Sequence, residues 1–426
     1  MLANFMYKLS QFNLQIASNT NDKYIVYNTL FDSIIVLDKP IDIFLKDATS
    51  EEYQKLISMG FIVPSDMNEF AFLRKLQKKQ ATSNKQNLSH ITIAPTLACN
   101  AKCFYCYEEG IAPRRMDDEA IEQSLLYIRQ NAATNEPIHI TWFGGEPFME
   151  LETIEKIVHG LQTHLEVFCS AITNGSFLTP KNIETLKKLN FKHFQVSLDG
   201  FGSEYEKRKN YSDKTDFESI VHNISNCIDS EIHVSLRLNI DKDNLYNIVE
   251  LINYLGVLFP DSKFISAYPS FLFGNTVPNP FLNDEEKTEA VSILLETLKK
   301  YSLIDNKAKI QNKPILSPCM AHSQGSIVID PYGNLFKCEH DVGNHNLSIG
   351  NVVSNSTLYN PLSIPLSEQY SLCKTCIYYP KCAGGCDATR RDGDSPCGLQ
   401  KYVIPFYLKK ILEQDCTKDD CFVNIP

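Results

Sequence analysis

Three cysteines on one short loop constrain this chain more than any other feature. Cys99, Cys103 and Cys106 stand at C-x3-C-x2-C spacing, directly after the alternating apolar stretch of residues 90–93. The alternation predicts a strand, so the thiols lie on a loop that leaves its end. Each thiolate can hold one corner of a cubane iron–sulfur cluster, which usually takes four cysteines, so one iron stays open for a substrate or cofactor. The alternative is a zinc site, although closed structural zinc sites use four ligands, usually as C-x2-C pairs.

Composition and charge narrow the class of protein. The 426 residues suffice for two or three domains, and the 43% hydrophobic and 22% charged fractions are typical of a globular protein. A net charge of −10 argues against a nucleic-acid partner. No apolar stretch reaches the roughly 18 residues of a membrane-spanning helix and no signal peptide is apparent, so we expect a cytoplasmic protein without membrane contact. Fourteen cysteines in such a chain indicate metal or redox chemistry rather than disulfides.

The first 82 residues are predicted to form a separate small domain. Strand-like stretches between residues 14 and 37 are followed by helical patterns. Thr49 and Glu52 match a capping box at the start of one helix, and Gly60 is expected to close it. The polar and basic stretch of residues 75–87 is predicted to be a linker.

Residues 88–310 alternate between strand and helix patterns. Caps mark three helix starts, at Asp117, at Thr179 followed by a proline, and at Asn283. The alternation argues for a parallel sheet, which right-handed crossovers could curl into a barrel or leave open. In barrel folds the site lies at the C-terminal ends of the strands. The six strand candidates are residues 91–94, 138–143, 167–173, 193–198, 233–240 and 263–268.

Glycine and polar residues stand where these predicted strands end. Gly144 and Gly145 let the backbone approach a ligand closely, and the Glu146 carboxylate beside them can receive an ammonium group. Arg237 lies on a predicted strand, where an unpaired arginine is costly to bury. It therefore either faces a ligand carboxylate or belongs to a structural ion pair. The other strand-end candidates are Asn174, Ser197 and Asp199.

A second group of cysteines lies between residues 311 and 402. Seven thiols exceed what one metal ion needs, so they suit two clusters, or one cluster and one zinc ion. A turn at residues 330–334 predicts a hairpin that delivers Cys338. Residues 403–426 are predicted to be a tail with an apolar helix. The seven cysteines are Cys319, Cys338, Cys373, Cys376, Cys382, Cys386 and Cys397.

The first cysteine loop, with Tyr105 before its last cysteine, resembles the signature loop of radical SAM enzymes. In that family the open iron binds the amino and carboxylate groups of S-adenosylmethionine, and an electron from the cluster releases a 5′-deoxyadenosyl radical. The resemblance implies an α/β fold with a partial (β/α)6 TIM-like barrel, in agreement with the six predicted strands. It further implies contacts to S-adenosylmethionine from Tyr105, Gly144, Gly145, Glu146, Asn174, Ser197, Asp199 and Arg237.

The residues implied by the resemblance would contact different parts of S-adenosylmethionine. The Gly-Gly-Glu turn resembles the motif that holds the amino group of the cofactor, and Asn174 belongs to a turn seen in the same family. Ser197 and Asp199 match an S-x-D-G strand end and would reach the ribose or the carboxylate. Arg237 would face the carboxylate.

The second cysteine group resembles the SPASM extension of radical SAM maturases. By the interleaved pattern of that extension, one set of three cysteines holds a nearer auxiliary cluster and one set of four holds a farther one, so three [4Fe-4S] clusters are implied. Because four cysteines are usual, either another residue completes the set of three or one iron is open to a substrate thiolate. The sets are Cys319, Cys338 and Cys386, and Cys373, Cys376, Cys382 and Cys397.

The N-terminal domain resembles the winged-helix-like, PqqD-like domain that precedes many peptide-modifying radical SAM enzymes. There the leader of a precursor peptide adds as an extra strand to a sheet edge. The alternative is a packing cap on the barrel. The chain is thus predicted to comprise this domain (1–82), a radical SAM barrel (88–310), an iron–sulfur SPASM domain (311–402) and a tail (403–426).

Together these features predict a radical SAM peptide maturase. The expected reaction is the cross-linking of a precursor peptide, with a flavodoxin or ferredoxin as electron donor. A thioether is the preferred prediction for the new bond, and a carbon–carbon or carbon–oxygen bond is the next choice. No side chain stands out as a catalytic acid or base; Glu108 and Glu109 beside the loop have no support. The alternatives are a sulfatase-maturase-type enzyme that forms formylglycine, and a non-enzymatic iron–sulfur electron-transfer or sensor protein.

Overall fold

The structure is a computed structural model, and it lacks a description of several short segments and of the C-terminal end. Cys416 and Cys421, and the predicted tail beyond residue 413, lie outside the described part. The described residues are 6–18, 22–83, 87–133, 135–272, 282–317, 319–354, 356–357, 371–391 and 397–413.

The N-terminal region combines small antiparallel sheets with three helices. Strands β2, β3 and β4 form a three-stranded sheet in that order, and β1 pairs with β5. One face of the three-stranded sheet packs on α1 and α2, and the other joins the main core of the molecule. The elements are β1 (Tyr7–Leu9), β2 (Asn13–Ala17), β3 (Tyr24–Asn28), β4 (Ser33–Leu37), α1 (Ile41–Asp47), α2 (Ser50–Ser58), β5 (Ile62–Pro64) and α3 (Glu69–Ser83).

Local signals in this region are confirmed, with one exception. Thr49 and Glu52 form the predicted capping box at α2, and Gly60 follows the helix with a φ of 78°. The predicted linker at residues 75–87 is wrong for residues 75–83, which continue α3. The helix persists because Gln77 is buried and its side-chain amide donates to the carbonyl of Ile315 at 3.0 Å. A polar side chain that is buried through a distant partner leaves no apolar periodicity to detect.

The central region is an α/β fold with a mostly parallel sheet. The six predicted strands all form, pair in parallel in the order of the chain, and alternate with helices. The strands are β6 (His90–Thr96), β7 (Ile138–Gly144), β8 (Val167–Thr173), β9 (Phe191–Ser197), β10 (His233–Ile240) and β11 (Ile265–Phe271). The helices are α4 (Asp118–Asn131), α5 (Leu151–Gln162), α6 (Pro180–Lys188), α7 (Ser203–Lys209), α8 (Phe217–Asp229), α9 (Leu245–Leu258) and α10 (Asp284–Lys300).

The predicted helix caps are confirmed. The side chains of Asp117, Thr179 and Asn283 accept hydrogen bonds from backbone N–H groups in the first turns of α4, α6 and α10. Each cap satisfies a donor that the helix itself cannot pair. These caps fix where each helix begins after its strand, and hence the direction in which the next strand returns.

The two faces of the central sheet differ in chemistry. One face carries the apolar side chains that pack against the helices, such as Ile140 and Trp142. The other, which we call the inner face, is largely polar: Thr141 hydrogen-bonds Ser170 at 3.1 Å, and Tyr268 donates to Gln195 at 2.7 Å. An alternation of this kind follows from the two-residue period of a strand. The inner face therefore offers polar groups along the axis that leads to the C-terminal strand ends.

The C-terminal region continues the central sheet. Strand β12 pairs in parallel with β6, and the predicted turn at residues 330–334 leads from it into β13, so the predicted hairpin is confirmed. Helix α14 contacts β2 and β3 of the N-terminal sheet. The elements are β12 (Ser326–Ile329), β13 (Asn334–Phe336), β14 (Gly350–Asn351), β15 (Ser356–Thr357), α11 (Ser371–Lys374), α12 (Tyr379–Cys382), α13 (Asp387–Arg391) and α14 (Gln400–Glu413).

A search of the described helices for one that is both apolar enough and long enough to cross a bilayer finds none.

Candidate active site

A cavity of about 200 Å³ opens at the C-terminal ends of the central strands. The three cysteines of the first loop line it, together with most of the predicted cofactor contacts. Glu146 and Asp199 do not line it, since both carboxylates are fully buried behind its wall. The predicted residues that line the cavity are Cys99, Cys103, Tyr105, Cys106, Gly144, Gly145, Asn174, Ser197 and Arg237.

The two glycines bring the end of β7 against the cysteine loop. The N–H of Gly145 donates to the carbonyl of Thr96 at 3.2 Å, and that of Glu146 donates to the carbonyl of Ala98 at 2.9 Å. A Cβ on Gly144 would lie 2.3 Å from the Thr96 carbonyl, and one on Gly145 would lie 2.3 Å from the Ala98 carbonyl. Only glycine allows this approach, so the turn positions the loop that carries the thiols.

The Glu146 carboxylate ties two neighbouring strand ends together. It accepts hydrogen bonds from the Thr173 hydroxyl at 2.8 Å, the Asn174 N–H at 2.8 Å and the Phe148 N–H at 3.2 Å. Burial raises the pKa of Glu146 to about 7, although these donors oppose the shift. The sequence predicts that this carboxylate receives an ammonium group, whereas the structure places three protein donors on it.

Asn174, at the end of β8, stands next to the cysteine loop. Its side-chain amide donates to Asn100 at 2.9 Å, and its side-chain oxygen accepts from the Ser176 hydroxyl at 2.6 Å. The Asn174 amide nitrogen also lies 3.9 Å from the Cys99 sulfur. The residue therefore contacts the first cysteine of the loop directly.

A buried network of ion pairs and hydrogen bonds includes Tyr105 of the cysteine loop. The Asp199 carboxylate accepts from the Tyr105 hydroxyl, from Lys209 at 2.9 Å and from the Asn239 amide at 2.8 Å. Lys209 also donates to the Tyr105 hydroxyl at 2.9 Å. Burial by itself lowers the pKa of Lys209, yet the adjacent Asp199 carboxylate raises it well above its ordinary value. The predicted contact residues Tyr105 and Asp199 thus meet in one network.

Arg237 and Ser197 lie side by side on the inner face, at paired positions of β10 and β9. The Arg237 guanidinium donates from Nε to the Ser270 hydroxyl at 3.0 Å. Among the residues that the structure describes, no carboxylate stands within ion-pair distance of Arg237. The Arg237 side chain lines the cavity.

The second cysteine group contains two groups of neighbouring thiols. Burial raises the pKa of Cys338 to about 12, and Cys386 and Cys319 stand close enough to add to that shift. Likewise, burial raises the pKa of Cys382 to about 12, with Cys376, Cys397 and Cys373 as its neighbours. Within the described chain, no three His, Cys, Asp or Glu side chains converge closely enough to hold a single metal ion.

A comparison with protein families decides what kind of domain holds the cavity. Residues 93–255 match the family model described as the Radical SAM superfamily. The chain carries a radical SAM domain. The matched stretch runs from β6 into α9 and includes the cysteine loop together with the strand ends that line the cavity.

A relative of the radical SAM domain is an enzyme by name. Fe-coproporphyrin III synthase of Methanosarcina barkeri is 25% identical over 250 residues, which are 57% of this chain and 59% of that protein. The chain therefore spans less than two thirds of that relative. The prediction of an enzyme is confirmed at the level of the radical SAM domain.

Two solved structures share the fold over most of the chain. The structure of anSMEcpe with bound AdoMet superposes with a TM-score of 0.62 at 19% identity and covers 76% of this chain and 98% of that one. SuiB of Streptococcus suis, bound to the precursor peptide SuiA, superposes with a TM-score of 0.55 at 13% identity and covers 93% of this chain and 100% of that one. The likeness shows a common architecture.

Sequence reasoning missed Lys209 and Glu339 near the radical SAM cavity and gave no support for Glu108. Lys209 is buried beneath the cysteine loop, and Glu108 lines the cavity with one carboxylate oxygen that is buried and unbonded within the described residues. Glu339, from the C-terminal region, accepts from the Thr92 hydroxyl of β6 at 3.1 Å. Lysine and glutamate usually face solvent, so only their positions after folding single them out. Glu108 was named as a candidate acid or base, without further support.

Proposed function

We propose that this protein is a radical SAM peptide maturase that cross-links a ribosomally made precursor peptide. The observation that carries the proposal is the packing of three parts into one body. The N-terminal region contacts the helix α12, which ends at Cys382, through residues beside its strands and on α3. Strand β12 of the same C-terminal region joins the sheet of the radical SAM domain. A surface for a peptide, two cysteine sets and the cavity are therefore connected through direct contacts.

The residues of the cavity fit a cluster with one open iron and S-adenosylmethionine. Cys99, Cys103 and Cys106 would hold the cluster, because their thiols line one cavity. When bound, the cluster and the cofactor supply a 5′-deoxyadenosyl radical, which abstracts hydrogen from the substrate. Arg237 would bind the carboxylate of the cofactor, since it lines the cavity and has no carboxylate partner among the described residues.

The other predicted contacts would act around that cofactor. The backbone of Gly144 and Gly145 approaches it, and Asn174 and Ser197 offer polar groups at neighbouring strand ends. Glu146 and Asp199 would act as positioning residues, because their carboxylates hold β8 and the cysteine loop in place. Tyr105 links that loop to Asp199.

The N-terminal region would bind the leader of the precursor. Strand β4 is at the edge of its sheet in the described structure, so its backbone is where a leader would add as a further strand. An edge strand presents unpaired N–H and C=O groups that another strand can use. The solved complex of SuiB with a precursor peptide has a similar fold.

The two C-terminal cysteine sets would hold auxiliary clusters that accept an electron or bind a substrate sulfur. A thioether is our first choice of bond, and a carbon–carbon or carbon–oxygen bond comes next. The first electron would come from a small donor such as a flavodoxin or a ferredoxin, in the cytoplasm.

Co-expression with a candidate precursor tests the proposal. A small Cys-rich reading frame beside the gene is expressed with the wild-type protein, and the peptide is analysed by mass spectrometry. We expect the loss of two hydrogen atoms for each cross-link, and 5′-deoxyadenosine from the reduced, reconstituted protein. The variant with Cys99, Cys103 and Cys106 all changed to Ala is the matched control, and it should yield neither product. An unmodified peptide would contradict the maturase, and uncleaved S-adenosylmethionine would favour an electron-transfer or sensor protein.

Formylglycine formation is the second candidate, since the fold of anSMEcpe, which covers 76% of this chain, is also similar. That reaction does not require a leader-binding domain. A titration of the full chain with labelled leader and core peptides separates the two. Tight binding of the leader supports the cross-linking maturase, whereas binding of the core alone supports the second candidate.

A further inference from the structure

The set Cys319, Cys338 and Cys386 has one ligand fewer than a four-iron cluster usually takes. The inference below rests on the proposed function, because it concerns the auxiliary cluster that this set would hold. The ligands of a four-iron cluster bind four different iron atoms, so they stand further apart than those of a single ion. A fourth ligand supplied by the protein would therefore come from a residue that borders the set.

His322 borders the set and is almost completely buried, with 5% of its surface exposed. It lies three residues after Cys319 on a single turn of 3₁₀ helix, Met320–His322. The N–H of His322 donates to the carbonyl of Cys319 at 3.2 Å. This tight turn folds the imidazole back beside the Cys319 thiol.

The imidazole of His322 lacks the hydrogen bonds that a buried ring normally makes. Its Nε2 lies 2.9 Å from Oδ2 of Asp387, the residue after Cys386. Nevertheless, neither ring nitrogen makes a well-directed hydrogen bond to a described residue, and nor does that oxygen of Asp387. Buried polar groups are rarely left in this state. The ring thus stands next to Cys319 and to Asp387, the residue after Cys386, and its Nδ1 is unused.

Other polar side chains near the set are already engaged. The ammonium group of Lys337 donates to the carbonyls of Ser323 and Ser326, both at 2.5 Å. Asp341 forms an ion pair with Arg391. Among His322, Lys337 and Asp341, only His322 has an unbonded nitrogen next to a thiol of the set.

We propose that His322 is the fourth ligand of the cluster on Cys319, Cys338 and Cys386. Its Nδ1 would bind the iron, and its Nε2 would donate to the Asp387 carboxylate. A carboxylate or carbonyl on the second nitrogen is the usual arrangement for a metal-bound histidine, because it fixes the orientation of the ring. Asp387 is then a positioning residue.

Pulsed electron paramagnetic resonance tests this ligand directly. The protein is labelled with ¹⁵N-histidine and carries Cys99, Cys103 and Cys106 as Ala, so that only auxiliary clusters remain to be reduced. We expect a strongly coupled histidine nitrogen on one cluster, which His322→Gln abolishes. His345→Gln, which changes another histidine of the same region, should leave the coupling intact. Absence of the coupling, or its survival in His322→Gln, would overturn the proposal.

Two further variants separate a ligand from a structural residue. His322→Cys should restore iron binding with a cluster of lower reduction potential and without nitrogen coupling, because thiolate in place of imidazole lowers the potential. Asp387→Asn should keep the coupling. If His322 served only the ion pair, His322→Gln and Asp387→Asn would have the same effect on stability and none on the spectrum, which would contradict a ligand role.

Iron analysis distinguishes a failure of this inference from a failure of the proposed function. A cluster on this set without a coupled nitrogen refutes His322 alone. If the labelled protein binds iron only at the other cysteine set, both the inference and the proposed second auxiliary cluster fail.

Discussion

The most consequential single contact in the radical SAM domain is the buried pair of Lys209 and Asp199. Both partners of the pair also hydrogen-bond the hydroxyl of Tyr105, which is on the cysteine loop two residues after Cys103. Removal of one partner of a buried ion pair leaves the other charge without compensation in a medium of low polarity. The loop that presents the thiols therefore depends on a charge outside it.

We predict that Lys209→Met lowers the free energy of unfolding by about 3–5 kcal/mol and reduces iron uptake by the first loop. Thermal unfolding and the iron content after anaerobic reconstitution measure the two effects. Lys207→Met is the matched control, because the Lys207 side chain is 74% exposed and pairs only loosely with Glu204. Equal behaviour of the two variants would show that the buried pair does not support the loop.

At the scale of elements, histidines occupy the N-terminal ends of four central strands, opposite the cavity. The rings of His90 and His139 stack with centroids 5.1 Å apart, and those of His193 and His233 stack at 5.5 Å. Burial, aided by the neighbouring His233, lowers the pKa of His193 to about 4. Burial also lowers the pKa of His90 and of His233.

These shifts predict a loss of stability in acid. An unfolded histidine titrates near pH 6.5, so between about pH 4 and 6.5 the unfolded chain binds more protons than the folded one. Stability is thus fully present above pH 6.5 and falls as the pH drops toward 4. We predict that His193→Gln reduces this loss by up to about 2 kcal/mol, after allowance for partial exposure.

Thermal unfolding at pH 7.5 and pH 5 measures this difference. His164→Gln, at an exposed position after α5, is the control and should lose as much stability between the two pH values as the wild type. An unchanged pH dependence in His193→Gln would show that this histidine is not responsible.

At the scale of the whole molecule, the N-terminal region and the second cysteine set share a buried contact. Lys381, in α12, is fully buried and donates to Asp32 at 2.8 Å and to the carbonyl of Gln311 at 2.5 Å. The Thr29 hydroxyl donates to the carbonyl of Ile377 at 2.5 Å. Because Cys382 ends the same helix, the N-terminal region contacts the element that carries a cysteine of the farther set.

We predict that Lys381→Met costs about 2–4 kcal/mol in stability and speeds the loss of iron from the farther cysteine set to a chelator. Asp32→Asn should have a smaller effect, since Asp32 keeps 19% of its side chain exposed. A double-mutant cycle of the two changes should show a coupling above about 0.5 kcal/mol. Additive effects would mean that the pair does not join the two regions.

The choice of bond also depends on the whole molecule. The thioether proposal draws on an iron that is open to a substrate thiolate. If His322 completes that cluster, a substrate sulfur binds there only by displacing the imidazole, and carbon–carbon or carbon–oxygen cross-links gain weight. Fragmentation of the modified peptide locates the new bond and decides between these products.

The sequence by itself determined the features that local chemistry encodes. Strand periodicity, helix caps and cysteine spacing each involve residues within one or two turns of the chain, so six strands, three helix starts and the thiol-bearing loop after β6 were all predicted. The assignment of the two later cysteine sets to clusters followed from resemblance and stays a prediction.

Only the tertiary structure decided how distant segments meet. Lys209 under the loop, Glu339 on the inner face, β12 beside β6 and the contact of Asp32 with Lys381 all join residues far apart in the chain. Such contacts leave no local periodicity, because a buried polar side chain is stabilised by a partner that the neighbouring sequence does not contain. The same reason explains why the sequence predicts a linker at residues 75–83, although they form the end of a helix in which Gln77 is buried against a distant carbonyl.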